Sequence, residues 1–215
     1  MIDPWLLIPC QGARTEMLWE TLDSLQHPPE RTVIVTTSED PVRYGDIGTH
    51  TLELPYDGQR ISSWWNAGID YIRARCGDQL FFEIAVISSD VQGHPGSIEI
   101  MAETLRFHDL EMVGPNYHRE AFSFFDRESS RTVHNRVPGA CWMIKGESGL
   151  RLDEQFRWWY SDDDLEMQAR QRGDVAIIPD TGFRPGPDSV LSPELQQWAR
   201  EDRQKFIDKW GMEPW

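Results

Sequence analysis

Two stretches of this chain hold side chains of types and spacings that can do chemistry. In the first, an apolar run, Phe81–Ile87, ends abruptly in Ser88-Ser89-Asp90, with Gly93 and Pro95 close behind. A single carboxylate at the end of a buried strand can hold a divalent cation that otherwise keeps water and phosphate oxygens as ligands. The same three residues also suit a plain turn. In the second, Trp158-Trp159-Tyr160-Ser161 runs into Asp162-Asp163-Asp164. Ser161 suits an N-cap, and acidic residues in a first helical turn complement the helix dipole. Three adjacent carboxylates exceed what a cap requires. Successive helical residues point about 100° apart, so they cannot all face one cleft. A carboxylate beside an aromatic wall loses hydration, which raises its proton affinity and suits a general base.

Other features are weaker pointers. Asn66-Ala67-Gly68 lies in a helical stretch where Asn and Gly both cost stability, so it marks either a tight packing contact or a site. The six histidines show no ligand spacing. Neither G-x-G-x-x-G, nor G-x-x-x-x-G-K, nor G-x-S-x-G occurs, which argues against a dehydrogenase, a P-loop NTPase and a serine hydrolase. Cys10, Cys76 and Cys141 are odd in number and far apart, which excludes a disulfide framework and suits a reducing, cytoplasmic setting. With 21 Lys and Arg against 36 Asp and Glu, the net charge of −15 repels phosphate backbones, so no general nucleic-acid binding is expected. Trp5-Leu6-Leu7-Ile8 is too short for a signal-peptide core, and no apolar run is long enough to span a membrane.

These residues need elements to position them. The 215 residues suit one domain with an appendage rather than two. Hydrophobic patterning predicts strands at Trp5–Cys10, Thr32–Thr37, Thr51–Leu54, Phe81–Ile87 and Leu110–Gly114, with helices at Arg14–Leu25, Ser62–Arg75 and Ser97–Phe107, the last capped by Ser97. Such alternation builds a mostly parallel sheet covered by helices, an α/β fold. Beyond it, Ala121–Asp126 and Arg131–Ile144 read as a hairpin or meander. Ser161–Arg172 reads as a helix, Val175–Ile178 as a strand, Phe183–Pro193 as a mobile loop and Pro193–Lys209 as a terminal helix. In open α/β sheets ligands bind beyond the carboxyl ends of the strands, which points to Pro9–Gly12, Thr36–Asp40 and Ser88–Gly93.

The order of motifs resembles the GT-A glycosyltransferases, most closely glycosyltransferase family 2, from about Leu6 to Gly211. Ile8-Pro9 is similar to that family's opening strand, and Leu18, Leu22, Ser24 and Leu25 to its first helix. Asn66-Ala67-Gly68-Ile69 is similar to its Asn-x-Gly helix, and Ile87-Ser88-Ser89-Asp90-Val91 occupies the place of its D-x-D-type motif. Gly139–Ile144 resembles its acceptor-side strand and Leu152–Phe156 its FDE.F stretch. Asp162-Asp163-Asp164-Leu165 with Gly173 resembles its ED-x-D-L…G spacing. Asp202-Arg203 and Phe206-x-x-Lys209-Trp210-Gly211 are similar to a C-terminal helix frequent in the family.

The resemblance implies a single GT-A domain over 1–215, with a nucleotide-sugar half (1–115), an acceptor and catalytic half (116–192) and a C-terminal helix (193–215). It implies transfer of a sugar, with inversion, from a nucleotide-diphosphate sugar to a hydroxyl of a sugar, lipid, protein or modified-base acceptor. Asp90 would hold Mn2+ or Mg2+ against the diphosphate. Pro9, Thr36, Asn66, Ser88, Ser89 and Arg184 would contact the donor, and Trp142, Trp158, Trp159 and Asp164 the acceptor. Asp162 would take the proton of the attacking hydroxyl, leaving Asp163 solvated. The chain departs from the family in five respects. Thr36-Thr37-Ser38 ends the second strand where an Asp that reads the base is frequent, and Gln168 stands where an Arg is common. The Ser88–Asp90 motif has one carboxylate, Ser161 replaces a Glu, and Asp180, Phe183, Arg184 and Asp188 stand where a His ligand is common. Those departures keep two other readings open, a sugar-binding GT-A-like protein without catalysis and a nucleotidyltransferase. Gln11-Gly12-Ala13-Arg14 would be a poor version of the nucleotidyltransferase loop.

Overall fold

A computed structural model describes residues 4–43, 48–56, 58, 60–117, 122–129, 132, 136–179, 181–186 and 192–214. Mostly apolar segments without alternation form strands buried on both faces. These are β1 (Trp5–Pro9), β2 (Thr32–Thr37), β4 (Glu83–Ile87), β5 (Met112–Pro115), β7 (Cys141–Lys145) and β8 (Val175–Ile178). Two segments that alternate or expose a side chain form the edges, β3 (His50–Leu54) and β6 (Ser123–Phe125). Together they make one sheet in the order β3-β2-β1-β4-β7-β5-β8-β6. The run β3-β2-β1-β4 is parallel, as is the pair β5-β8. β7 lies antiparallel between β4 and β5, and β6 antiparallel to β8. The fold is α/β, with a mostly parallel central sheet flanked by helices.

The two-residue period of the strands divides the core. Leu6, Ile8 and Ile34 face α1 (Thr15–Leu25) and α3 (Ser97–Phe107), against Leu18, Leu25, Met101 and Leu105. Leu7, Val33 and Val35 face α2 (Ile61–Cys76) and α4 (Ser161–Arg170), against Trp65, Ile69, Ile72 and Leu165. A last helix, α5 (Pro193–Trp210), closes one side, capped by the Ser192 hydroxyl. No helix among the described residues is long and apolar enough to cross a membrane.

Four expectations are corrected. The segments 121–126 and 131–144 do not form a hairpin, because β6 pairs with β8 and β7 inserts between β4 and β5. Burial sorts them. Cys141-Trp142-Met143-Ile144 needs cover on both faces, whereas Phe124 remains half exposed at the edge. Ser97 is the first residue of α3 rather than its cap; Gly96 precedes it at φ +91°, and the Ser97 hydroxyl accepts from the His94 N–H at 3.0 Å. Ser161 likewise lies inside α4, behind Tyr160 at φ +62°. The described part of 183–193 is tied down by reciprocal backbone bonds between Gln92 and Arg184, at 3.1 and 2.8 Å.

Candidate functional site

Strand order reverses between β1 and β4, and their carboxyl ends open into a crevice, where open α/β sheets bind ligands. A cleft of about 560 Å³ lies there. Its floor is Pro9 and Cys10 after β1 and Ser88-Ser89-Asp90 after β4. The far wall is Gly139 and Ala140 before β7, then Trp158, Trp159, Tyr160, Asp162 and Asp163 leading into α4. The α2 residues Trp64 and Trp65 line it as well.

Backbone bonds fix the floor. The Ser88 N–H donates to the Ala140 carbonyl at 2.8 Å, locking the ends of β4 and β7 together. From α1, the Thr21 hydroxyl donates to the Ser89 carbonyl at 3.0 Å. Arg14, on the turn after β1, donates from Nη2 to Asp90 Oδ2 at 2.7 Å. Burial pushes the Cys10 thiol up to about 11, outweighing its hydrogen bond to Ser89 and the nearby Arg14 charge. It therefore stays protonated at neutral pH and is no nucleophile.

The wall is set from behind. Asp202 on α5 is fully buried, and Oδ2 accepts the consecutive N–H groups of Arg157, Trp158 and Trp159 at 3.0, 2.9 and 3.1 Å. Tyr160 then takes a left-handed conformation, and α4 begins. Asp162 rests against Gly139, where any Cβ would overlap its Oδ2. Trp64, Trp65 and Trp159 line the cleft, and the Nε1–H of each is buried with no partner among the described residues.

Of the residues expected at a site, Pro9, Ser88, Ser89, Asp90, Trp158, Trp159 and Asp162 converge on this cleft. Five do not. Trp142 is wholly buried in the core, packed edge-to-face on Trp65 at 5.6 Å, because β7 is covered on both faces. Thr36 is buried, its hydroxyl accepting from the Val42 N–H at 3.0 Å. Asn66 clamps Leu152 through both ends of its amide, at 2.9 and 3.0 Å, while a Cβ on Gly68 would overlap Leu7, so Asn66-Ala67-Gly68 is a packing device. Asp164 is buried and accepts from Gln168, Lys209 and Trp210 Nε1 at 2.9, 2.8 and 2.8 Å, which ties α4 to α5. Arg184 lines a separate cavity of about 730 Å³ with His94 and Tyr117. Asp163, expected in solvent, is buried beside Arg136 at 3.3 Å. His134, Asp180 and Asp188 lie outside the described residues.

The donor set at Asp90 fits the expected Mn2+ or Mg2+ poorly. It is one carboxylate, whose Oδ2 already bonds Arg14 Nη2 at 2.7 Å. No group of three or more His, Cys, Asp or Glu side chains that could hold a metal occurs among the described residues. The sequence reading missed Arg14, Arg136, Trp64 and Asp202 as contributors. For Asp202 the signal was available, a carboxylate set between Trp198 and Phe206 at intervals of four on one buried helix face.

Gly139→Ala tests the seat of Asp162. The methyl displaces a carboxylate at the end of a side chain, so the fold should survive, whereas a misplacement of about 1 Å can cost about 100-fold in turnover. The expected result is a melting temperature near wild type, with any activity that uses the Asp162 carboxylate lowered about 10- to 100-fold. Unchanged activity would mean that the position of Asp162 does not matter.

No protein-family model and no curated protein matches the chain. Solved structures do. Staphylococcus aureus TarS residues 1–349 in complex with UDP-GlcNAc superposes with a TM-score of 0.63 at 11% identity, over 96% of this chain and 67% of that one. The TarS 1–349 complex with UDP gives 0.59 at 11%, over 95% and 66%. TarS itself gives 0.60 at 11%, over 96% of this chain and 40% of that one. The chain thus spans between 40% and 67% of the length of these structures. They share the GT-A glycosyltransferase fold with this chain.

Proposed function

We propose that this chain, built on the GT-A glycosyltransferase fold, transfers a sugar from a nucleotide-diphosphate sugar to an acceptor hydroxyl with inversion at the anomeric carbon. The observation that carries the reading is the seat of Asp162. One carboxylate, fitted against Gly139, lines the same switch-point cleft as the floor at Pro9, Ser88, Ser89 and Asp90. A single displacement needs one base and no protein nucleophile. The donor lies along the floor, its nucleotide towards Pro9, Ser88 and Ser89. The acceptor enters along Trp158 and Trp159, whose flat faces suit sugar rings. Asp162 accepts the acceptor's hydroxyl proton as that oxygen attacks C1, and the nucleoside diphosphate leaves on the opposite side. A uridine nucleotide is the first donor to try, since TarS 1–349 was crystallised with UDP-GlcNAc and with UDP.

The test is a thermal-shift panel of UDP-, GDP-, dTDP- and CDP-sugars followed by assay of nucleoside diphosphate release. One class should raise stability by about 2.7 kcal/mol at 100 times its dissociation constant and release its diphosphate when acceptor is supplied. Binding without release would make the chain a sugar-nucleotide-binding protein. Pyrophosphate release from a nucleoside triphosphate would make it a nucleotidyltransferase. No binding in the panel would end the proposal.

A further inference from the structure

Resting on that reading, we propose that the cation stabilising the departing diphosphate is the guanidinium of Arg14, held by Asp90, so that donor binding and transfer proceed without a divalent metal. A nucleoside diphosphate brings a concentrated negative charge into a protein whose own net charge is −15, so the cleft must supply a cation. Among the described residues, the two cations lining it are Arg14 and Arg136. Arg136 is paired with buried Asp163. Arg14 gives Nη2 to Asp90, and its Nη1 and Nε have no partner among the described residues, while its side chain stays 37% exposed. A guanidinium has five donors in a planar fork, so one edge can remain on Asp90 while another meets phosphate oxygens.

The turn under Arg14 is rigid. The Gly12 N–H donates to the Asp40 carbonyl at 2.8 Å, and the Ala13 N–H to Asp40 Oδ2 at 3.1 Å. Asp90 is hemmed in on its other side by the Gly186 backbone, where a Cβ would stand 2.7 Å from Asp90 Cβ and 2.6 Å from its carbonyl oxygen. Asp90 is thus arranged as the anchor of a cation already present. Donors fixed in advance where charge develops need no reorganisation during the reaction. In the transfer, the bond from the acceptor oxygen to C1 forms and the bond from C1 to the β-phosphate oxygen breaks. The electron pair goes to that phosphate oxygen, facing Arg14, and the hydroxyl proton goes to Asp162.

The experiment is calorimetric titration of UDP, GDP, dTDP and CDP into the full chain, in EDTA and in Mn2+. The tightest of the four should bind equally well in both buffers. Arg14→Ala should weaken it in EDTA by about 10- to 100-fold, the worth of hydrogen bonds from a charged donor, with Arg14→Lys restoring part. The corresponding nucleoside without phosphates should bind wild type and Arg14→Ala alike, which a merely structural defect would not allow. Binding only in Mn2+, wild-type diphosphate affinity in Arg14→Ala, or equal loss of nucleoside and diphosphate would each overturn the assignment while leaving the transferase reading intact. No binding of any of the four in either buffer would end both.

Discussion

Asp162→Asn is expected to lower turnover by about 10²–10⁴-fold, the span usual for a lost general base, with nucleotide affinity little changed. The amide is nearly isosteric, so it occupies the same seat against Gly139. On the proposed reading it would still hydrogen-bond to an acceptor hydroxyl but could not take the proton. The neighbouring carboxylates serve as controls with distinct roles. Asp163 lies beside Arg136, and Asp164 joins α4 to Lys209 and Trp210. Asp164→Asn should therefore show in the unfolding midpoint before it shows in turnover. Steady-state assay of both variants with saturating donor decides the matter. Near-normal turnover in Asp162→Asn beside an inactive, well-folded Asp164→Asn would move the base to Asp164.

Asp202→Ala should destabilise the fold by about 3–5 kcal/mol, the range for removing one partner of a buried charged network. The residue is wholly buried, and one of its oxygens accepts three successive backbone N–H groups. The other accepts from Lys205 Nζ at 2.7 Å. Truncation leaves the N–H groups at 157–159 without an acceptor and Lys205 without its carboxylate. Asp202→Asn keeps one oxygen acceptor and should lose distinctly less. Urea unfolding followed by the fluorescence of the chain's tryptophans measures the stability. A loss below about 1 kcal/mol, an ordinary single hydrogen bond, would show that the wall is held by other means.

The parts of this molecule legible in its sequence are those governed by local periodicity. The strands at Thr32–Thr37 and Val175–Ile178 and the helix at Ser97–Phe107 stand where their patterns place them. The floor of the cleft was legible too, since Ser88-Ser89-Asp90 ends a buried strand in a fold whose ligand edge follows a rule. What stayed hidden depends on pairing over long separations. Nothing near Trp142 distinguishes a side chain stacked on a ligand from one packed against Trp65; only the insertion of β7 between two strands decides it. Asp164 shares its local sequence with Asp162, yet Lys209 and Trp210, some 45 positions away, make it a structural tie. Arg14 and Asp90 are 76 positions apart, and neither announces the other.

The place of β7 also governs how the chain reaches this structure. β1, β2, β3 and β4 are all complete once residue 87 is made, so they can pair before the rest of the sheet exists. β5 cannot join them, because the slot beside β4 belongs to a strand that begins at residue 141. Until it arrives, the open edge of β4 and the open edge of β5 each present unpaired backbone groups beside apolar side chains, the situation that invites pairing with another chain. Closing the sheet is then a late step, since it waits for β7. Refolding yield should accordingly fall as protein concentration rises, with the losses arising before the two half-sheets are joined.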